Sequence, residues 1–229
     1  MDRRLTAIPA LRATAGWREV PIEPVDEPLV RVADIGARVH DDPRYHRAGL
    51  PGAQRAGWLR EAVAGALARA ARALPEGLSL VVWDGYRSLE TQAALYDAYL
   101  AELAMVHPDQ PADALEEAAA RYVTPPSRAA GAPPPHLTGG AVDLTLGDGD
   151  GRPLDLGTDF DEFVPEAGAR ALEGVDVPAR SLRRLLFWTM AAQGFTAYAE
   201  EWWHFDLGDQ FWGLVRGRPA HYAAADAPG

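Results

Sequence analysis

Cysteine is absent from the 229 residues. Disulfides are therefore excluded, and the fold must rest on its core or on a bound metal. The same absence removes thiolate from any zinc site, so a ligand set has to come from His with Asp or Glu. Positive charge is the scarcer sign: 22 Lys and Arg stand against 33 Asp and Glu, a formal net charge of −11. Binding to phosphate needs a basic face, so this balance argues against nucleic acid as a partner and against docking on anionic lipid. No stretch approaches the roughly 18 uninterrupted apolar residues of a membrane-spanning helix. The opening MDRRLTAIPALRATAGW has basic residues but no apolar run of about 7 to 15, so it does not resemble a secretory signal. A soluble cytoplasmic protein is the expectation.

Apolar residues make up 48% of the chain, a globular composition, and the length suits one sizeable core. Residues 1–52 are rich in Pro, Gly, Asp and Arg and suggest extended chain with one or two short strands. From 56 to 74 the alanine-rich AGWLREAVAGALARAARAL repeats Leu59, Val63, Leu67 and Ala70 at helical spacing. LSLVVWDGY, 78–86, is a buried strand closing in a turn at Asp84-Gly85. Ser88 caps a helix to about residue 105, with Leu89, Leu95, Tyr96, Tyr99 and Leu103 available for its buried face. A further helix follows over 112–123. The Pro/Gly/Ala loop 124–135 is long enough to be functional rather than idle.

HLTGGAVDLTL, 136–146, runs from loop into strand, and 147–157 is a turn with a hairpin return. SLRRLLFWTMAAQG, 181–194, is a helix with Leu182, Leu185, Leu186 and Thr189 on one face and Gly194 at its end. FTAYAEEWWHFDLG then continues as a strand, and the tail AHYAAADAPG is frayed. These elements make one α+β domain over 1–229, with a less regular segment at 1–52 and a core at about 53–213.

Three short stretches could carry chemistry. In HLTGGAVD, His136 and Asp143 are seven residues apart, and a regular strand would put them on opposite faces. Gly139 and Gly140 permit a turn or bulge that returns both to one side; otherwise His136 is exposed and Asp143 ends a hairpin. In EEWWH, strand alternation puts Glu200 on the face of His204 and Glu201 on the other. The helical zinc motif H-E-x-x-H is absent, and Trp202 and Trp203 can equally be core with both glutamates solvated. In WDGYRS, Arg87 follows a buried strand and a tight turn; it is a surface residue unless the turn opens onto a site with an oxyanion to neutralise. His40, His46, His107 and His221 have no partner at ligand spacing and are expected to be structural, His46 being the one whose segment could fold over the site.

Together, DGYR at 84–87, HLTGGAVDLTL at 136–146 and EWWH at 201–204 resemble the zinc D-alanyl-D-alanine dipeptidases in order, spacing and flanking apolar letters. The likeness runs over about 78–213 and takes in LDLGTDFDEF, RRLLFWTM and GDQFWG. It implies a single domain with a central antiparallel sheet flanked by helices. It implies one Zn²⁺ held by His136, Asp143 and His204, with Glu201 as general base and then acid. Arg87 would face the tetrahedral oxyanion, and Asp161 the ammonium of a small dipeptide substrate. On this pattern Glu201, not Glu200, is the companion of His204, against the alternation. The chain departs from the family at Pro134, where a serine often helps hold substrate, and at Ser88, where proline often follows the arginine. The N-terminal third aligns loosely, with Tyr45 as candidate for a substrate-contacting tyrosine. The alternatives within the same fold are a carboxypeptidase or endopeptidase acting on peptidoglycan stem peptides, and a non-catalytic zinc-stabilised binding module.

Overall fold

In the computed structural model, residues 3–127, 129 and 131–228 are described. The N-terminal segment gives β1 (Leu29–Arg31), β2 (Val39–Asp41) and a one-turn helix α1 (Arg44–Arg47). β3 (Trp58–Arg60) runs directly into α2 (Glu61–Ala73), followed by β4 (Leu78–Asp84). Two helices in succession, α3 (Leu89–Val106) and α4 (Ala112–Tyr122), precede β5 (Ala141–Asp148). The chain ends with α5 (Pro178–Ala191), β6 (Thr196–Ala197), β7 (His204–Asp206) and α6 (Gln210–Arg216).

Five strands form the main sheet in the order β2-β4-β5-β7-β6, while β1 and β3 pair separately. Three of its pairings are antiparallel, as expected, and β2–β4 is parallel. A parallel pair needs a long crossover, which here is the stretch carrying β3 and α2. β4 and β5 are near-continuous apolar runs because both of their faces are covered. The predicted stripe is fully inside, but its first residue, Leu59, lies in β3, so the helix begins at Glu61 and not near 56; Leu59 and the α2 residues Val63, Leu67 and Ala70 are all buried. It meets Leu186 and Met190 of α5 in the same core as Leu80 and Leu144 of the sheet. That core also takes in Val32 and Tyr222, so the chain ends share it with the centre.

Four sequence expectations are corrected. First, α3 starts where Ser88 predicts, its hydroxyl accepting from Thr91 N at 3.1 Å. Of its residues only Thr91 and Gln92 are buried, and Leu89, Leu95, Tyr96, Tyr99 and Leu103 are half-buried. The helix pairs with α4 as a hairpin standing off the core, which leaves Met105 83% exposed. Second, His136 lies in a 3-10 turn, Pro135–Thr138, before the strand begins. Third, 195–208 is not one strand: β6 and β7 pair antiparallel, and 198–203 is the loop between them. Fourth, the tail is not frayed where it packs. Ala220, Tyr222 and Ala225 are buried, and Ala220 N and Ala225 N donate to Pro21 O and Leu137 O at 2.8 Å each. Its last residue, 229, lies outside the described residues.

Candidate metal centre

β5 sets one donor. Asp143 lies at its middle, buried, and pairs in register with His204 on β7. Cross-strand partners on one face are close, and His204 Nδ1 stands 3.0 Å from Asp143 Oδ1. His136 reaches the same carboxylate from the other side, Nε2 to Oδ2 at 3.3 Å. The odd spacing of His136 and Asp143 poses no obstacle, because the 3-10 turn ends on Gly139 in the left-handed region, φ +73°, and regular alternation starts only afterwards. His136 Nε2 and His204 Nδ1 are 3.2 Å apart, and donors of all three residues lie within 4.8 Å of one another.

The far nitrogens fix which atoms face inward. His136 Nδ1 is 2.8 Å from Gly85 O, a carbonyl that can only accept, so Nδ1 carries the proton and Nε2 offers its lone pair. His204 Nε2 is 2.8 Å from Asp206 Oδ1, which by the same logic turns the Nδ1 lone pair toward Asp143. Two imidazole lone pairs and a carboxylate converging on one point repel unless a cation sits among them. That donor set suits zinc, which takes N and O ligands and leaves room for a fourth. Burial works to raise the Asp143 carboxyl, but the charges and hydrogen bonds of His136 and His204 outweigh it and hold it well below its usual range.

The turn after β4 builds the opposite wall. A bulge between Val82 and Asp84 brings Asp84 beside Asp143. Gly85 follows, with its Cα against the Trp58 carbonyl: a Cβ there would lie 2.4 Å from that oxygen. Arg87 N donates to His136 O at 3.1 Å, so the arginine and the histidine share one backbone frame. The Arg87 side chain is buried and donates to Asp84 Oδ2 (2.8 Å), Gln92 Oε1 (3.1 Å), Tyr45 Oη (3.2 Å) and Asp143 Oδ2 (3.2 Å). Gly85→Ala is expected to push this turn outward, costing about 1–3 kcal/mol of stability. It should weaken metal affinity by about 10- to 100-fold through the lost hold on His136. Titration with zinc against a competing chelator would check this; unchanged affinity would show that the Gly85 carbonyl does not position the ring.

Asp161 completes this wall. Its Oδ2 accepts from Tyr45 Oη at 2.8 Å, and its backbone sits at φ +59°, the single described non-glycine residue in that region. Such strain concentrates at working sites. Burial, opposed by Arg87 and reinforced by the Asp143 charge, pushes the Asp161 carboxyl up to about 7.

The two glutamates separate cleanly. Glu201 is buried and lines the cavity with His136, Asp143 and His204. Burial lifts its carboxyl well above the usual range; His204 opposes the rise, and the charges of Asp143 and Asp161 add to it. Glu200 points away and pairs with Arg121 of α4 at 2.6 Å. Alternation had favoured Glu200, and it fails because 198–203 is loop. Trp202 and Trp203 are buried, the first donating from Nε1 to Thr158 Oγ1 at 2.8 Å.

The cavity is about 40 Å³, and Leu95, Tyr122 and Phe163 line it as well. From the loop 124–135, Thr124 and Pro135 line it, and residues 128 and 130 lie outside the described residues. Every candidate the sequence singled out, His136, Asp143, His204, Glu201, Arg87 and Asp161, borders this one space, and so does Tyr45. The other four histidines stay out of the cluster. Sequence reasoning missed Asp84 and Asp206. Asp206 had a usable signal, since it stands two residues after His204 and shares its face in a strand. Among the described residues no helix is long and apolar enough to cross a membrane.

The profile of peptidase family M15, D-ala-D-ala dipeptidase, matches residues 29–223. A D-alanyl-D-alanine dipeptidase of Synechocystis sp. is 27% identical over 215 residues, 84% of this chain and 87% of that one. The D-alanyl-D-alanine dipeptidase of Escherichia coli is 34% identical over 131 residues, 57% of this chain and 56% of the relative. The one from Enterococcus faecium is 32% identical over 144 residues, 60% and 66% of the two chains. A solved structure, VanYB in complex with D-Alanine-D-Alanine, aligns over 92% of this chain and 93% of its own at 16% identity, with a TM-score of 0.49.

Proposed function

The chain belongs to the M15 family of D-Ala-D-Ala dipeptidases, and from that premise we propose that it hydrolyses D-Ala-D-Ala or a closely related small dipeptide with one zinc ion per chain. The observation that carries this is the convergence of His136, Asp143 and His204 on one point in a cavity that Glu201 and Arg87 also line. His136 Nε2, Asp143 and His204 Nδ1 would hold the zinc ion, which would supply Lewis-acid polarisation and a water acidic near neutral pH.

The remaining steps fall to the protein's own groups. Glu201 takes the proton of the attacking water and returns it to the leaving amine. Burial and the neighbouring charges of Asp143 and Asp161 raise its carboxyl, which makes it readier to take that proton than an ordinary glutamate. Arg87 donates to the carbonyl oxygen as negative charge grows there. Asp84, Gln92 and Tyr45 hold the guanidinium so that it need not reorganise. Asp161, with Tyr45 behind it, receives the substrate ammonium.

The small cavity favours a dipeptide over a peptidoglycan stem peptide, which needs a longer cleft. The presence of both Glu201 and Arg87 in the cavity disfavours a binding module without catalysis, which needs neither. The direct test is incubation of the purified protein with D-Ala-D-Ala and measurement of free D-alanine, with zinc and with chelator. If another dipeptide is cut while D-Ala-D-Ala is not, that substrate is ruled out.

Asp161 gives the reading a pH dependence. Its carboxyl is raised to about 7, so it is neutral below that pH and charged above it. Only the charged form pairs with an ammonium, so KM should rise as pH falls below about 7. Asp161→Asn should abolish that limb and raise KM by about 10- to 100-fold at neutral pH, the worth of one charged hydrogen bond. A KM profile that stays flat in the native enzyme, or keeps its limb in the variant, would remove Asp161 from ammonium binding.

A further inference from the structure

A zwitterionic dipeptide has a carboxylate as well as an ammonium, and each end needs a countercharge. Asp161 answers the ammonium. Among the described residues, and apart from the histidines, two cationic side chains line the cavity, Arg87 and Arg121. Arg87 is committed to Asp84, Gln92, Tyr45 and Asp143. Arg121 is different. It lies in the last turn of α4, its side chain is 59% exposed, and its one ion pair among the described residues is with Glu200 through Nη2. A guanidinium fork has five donors and can take a second carboxylate while keeping the first.

The order of the main sheet decides which end is which. Tyr45, bonded to Asp161, follows the edge strand β2; Arg87 follows β4; Asp143 is on β5 and His204 on β7. Tyr198 follows β6 at the other edge, and its hydroxyl donates to the Arg121 carbonyl. Asp161 therefore stands on the β2 side of the metal cluster and Arg121 on the β6 side. A peptide whose ammonium rests on Asp161 and whose scissile bond lies over the cluster turns its free carboxylate toward Arg121. Tyr122, beneath the Arg121 guanidinium at 5.7 Å, stacks on Phe163 at 5.2 Å and so docks the hairpin onto the segment that carries Asp161.

We propose that Arg121, delivered by the α3–α4 hairpin, is the carboxylate-binding residue of this site, so that a free α-carboxylate is part of what the enzyme selects. The proposal rests on the dipeptidase reading above. Glu200, a bystander to the chemistry, pairs with one edge of the guanidinium, while the hairpin sets where it stands.

The test compares D-Ala-D-Ala with its C-terminal amide on the native enzyme and on Arg121→Ala, Arg121→Lys and Glu200→Ala, with folding checked by melting. Native turnover of the free acid is the control, and without it the dipeptidase reading itself falls. The native enzyme should prefer the acid over the amide by about 10- to 100-fold in kcat/KM. Arg121→Ala should erase that preference by raising KM for the acid alone, and Arg121→Lys should restore part of it. Glu200→Ala should keep the preference, since the hairpin, not Glu200, places the guanidinium. Absence of preference in the native enzyme would overturn the proposal. So would an equal loss for acid and amide in Arg121→Ala, or a collapse of preference in Glu200→Ala; either result would make the pair a mere latch on the hairpin.

Discussion

Glu201→Gln is expected to lower kcat by about 100- to 10,000-fold, the range of a lost general base, while the protein stays folded and keeps its metal. The amide has the shape of the carboxylate, so packing in this buried position is conserved. It removes a negative charge that stands with Asp143 and Asp161 in one cavity, so melting should be unchanged or higher. Glutamine cannot accept the proton at any pH, so the loss should persist across the whole pH profile. Glu200→Gln supplies the contrast: that carboxylate pairs with Arg121 near the surface, and its change should leave kcat within about twofold, in keeping with the small worth of exposed ion pairs. Zinc content and kcat measured on both variants decide the matter. An active Glu201→Gln enzyme would hand the base role to another group; a dead Glu200→Gln enzyme would vindicate strand alternation over the motif.

That contrast also marks how far the sequence could be read. The helix over α2, the strand β4, the Ser88 cap and the α5 stripe follow from local periodicity and capping, and local rules held there. The site was legible as a set of residues, because the motif fixes their types and order. Its geometry was not. Alternation presumed that 136–146 and 195–208 were regular strands, whereas a 3-10 turn and a six-residue loop carry His136 and the two glutamates. These departures are dictated by contacts remote in sequence. Trp202 N donates to Ala167 O at 2.9 Å, and Leu144 N to Trp203 O at 3.1 Å, so the loop is drawn out of the strand by partners that spacing cannot reveal. Tyr45 and Asp161 meet across 116 residues for the same reason. The apolar face expected for α3 is half-buried instead, because its residues line the cavity and pack against α4 and Phe163.

Removal of the metal should have the other large effect, on stability as well as activity. A ligand that binds only the folded state stabilises it by about 4 kcal/mol at a thousandfold excess over its Kd. For a chain of this size that corresponds to roughly 8–16 °C in melting temperature. Chelator should therefore abolish D-alanine release and lower melting by about that amount, and added zinc should restore both. His204→Ala should show the same losses without rescue, and a further one. It strips Asp143 and Asp206 of the ring that bonds both, leaving two buried carboxylates facing the gap. Breaking a buried charged pair in this way costs about 3–5 kcal/mol. The native enzyme with chelator and the His204→Ala variant thus differ in whether zinc restores them, not only in the size of the loss. Glu201→Gln, which leaves all three donors in place, should melt with zinc like the native protein. If untreated protein contained no zinc and chelator left its melting unchanged, the His136, Asp143 and His204 cluster would be a hydrogen-bonded core, and the assignment of catalysis to it would fail.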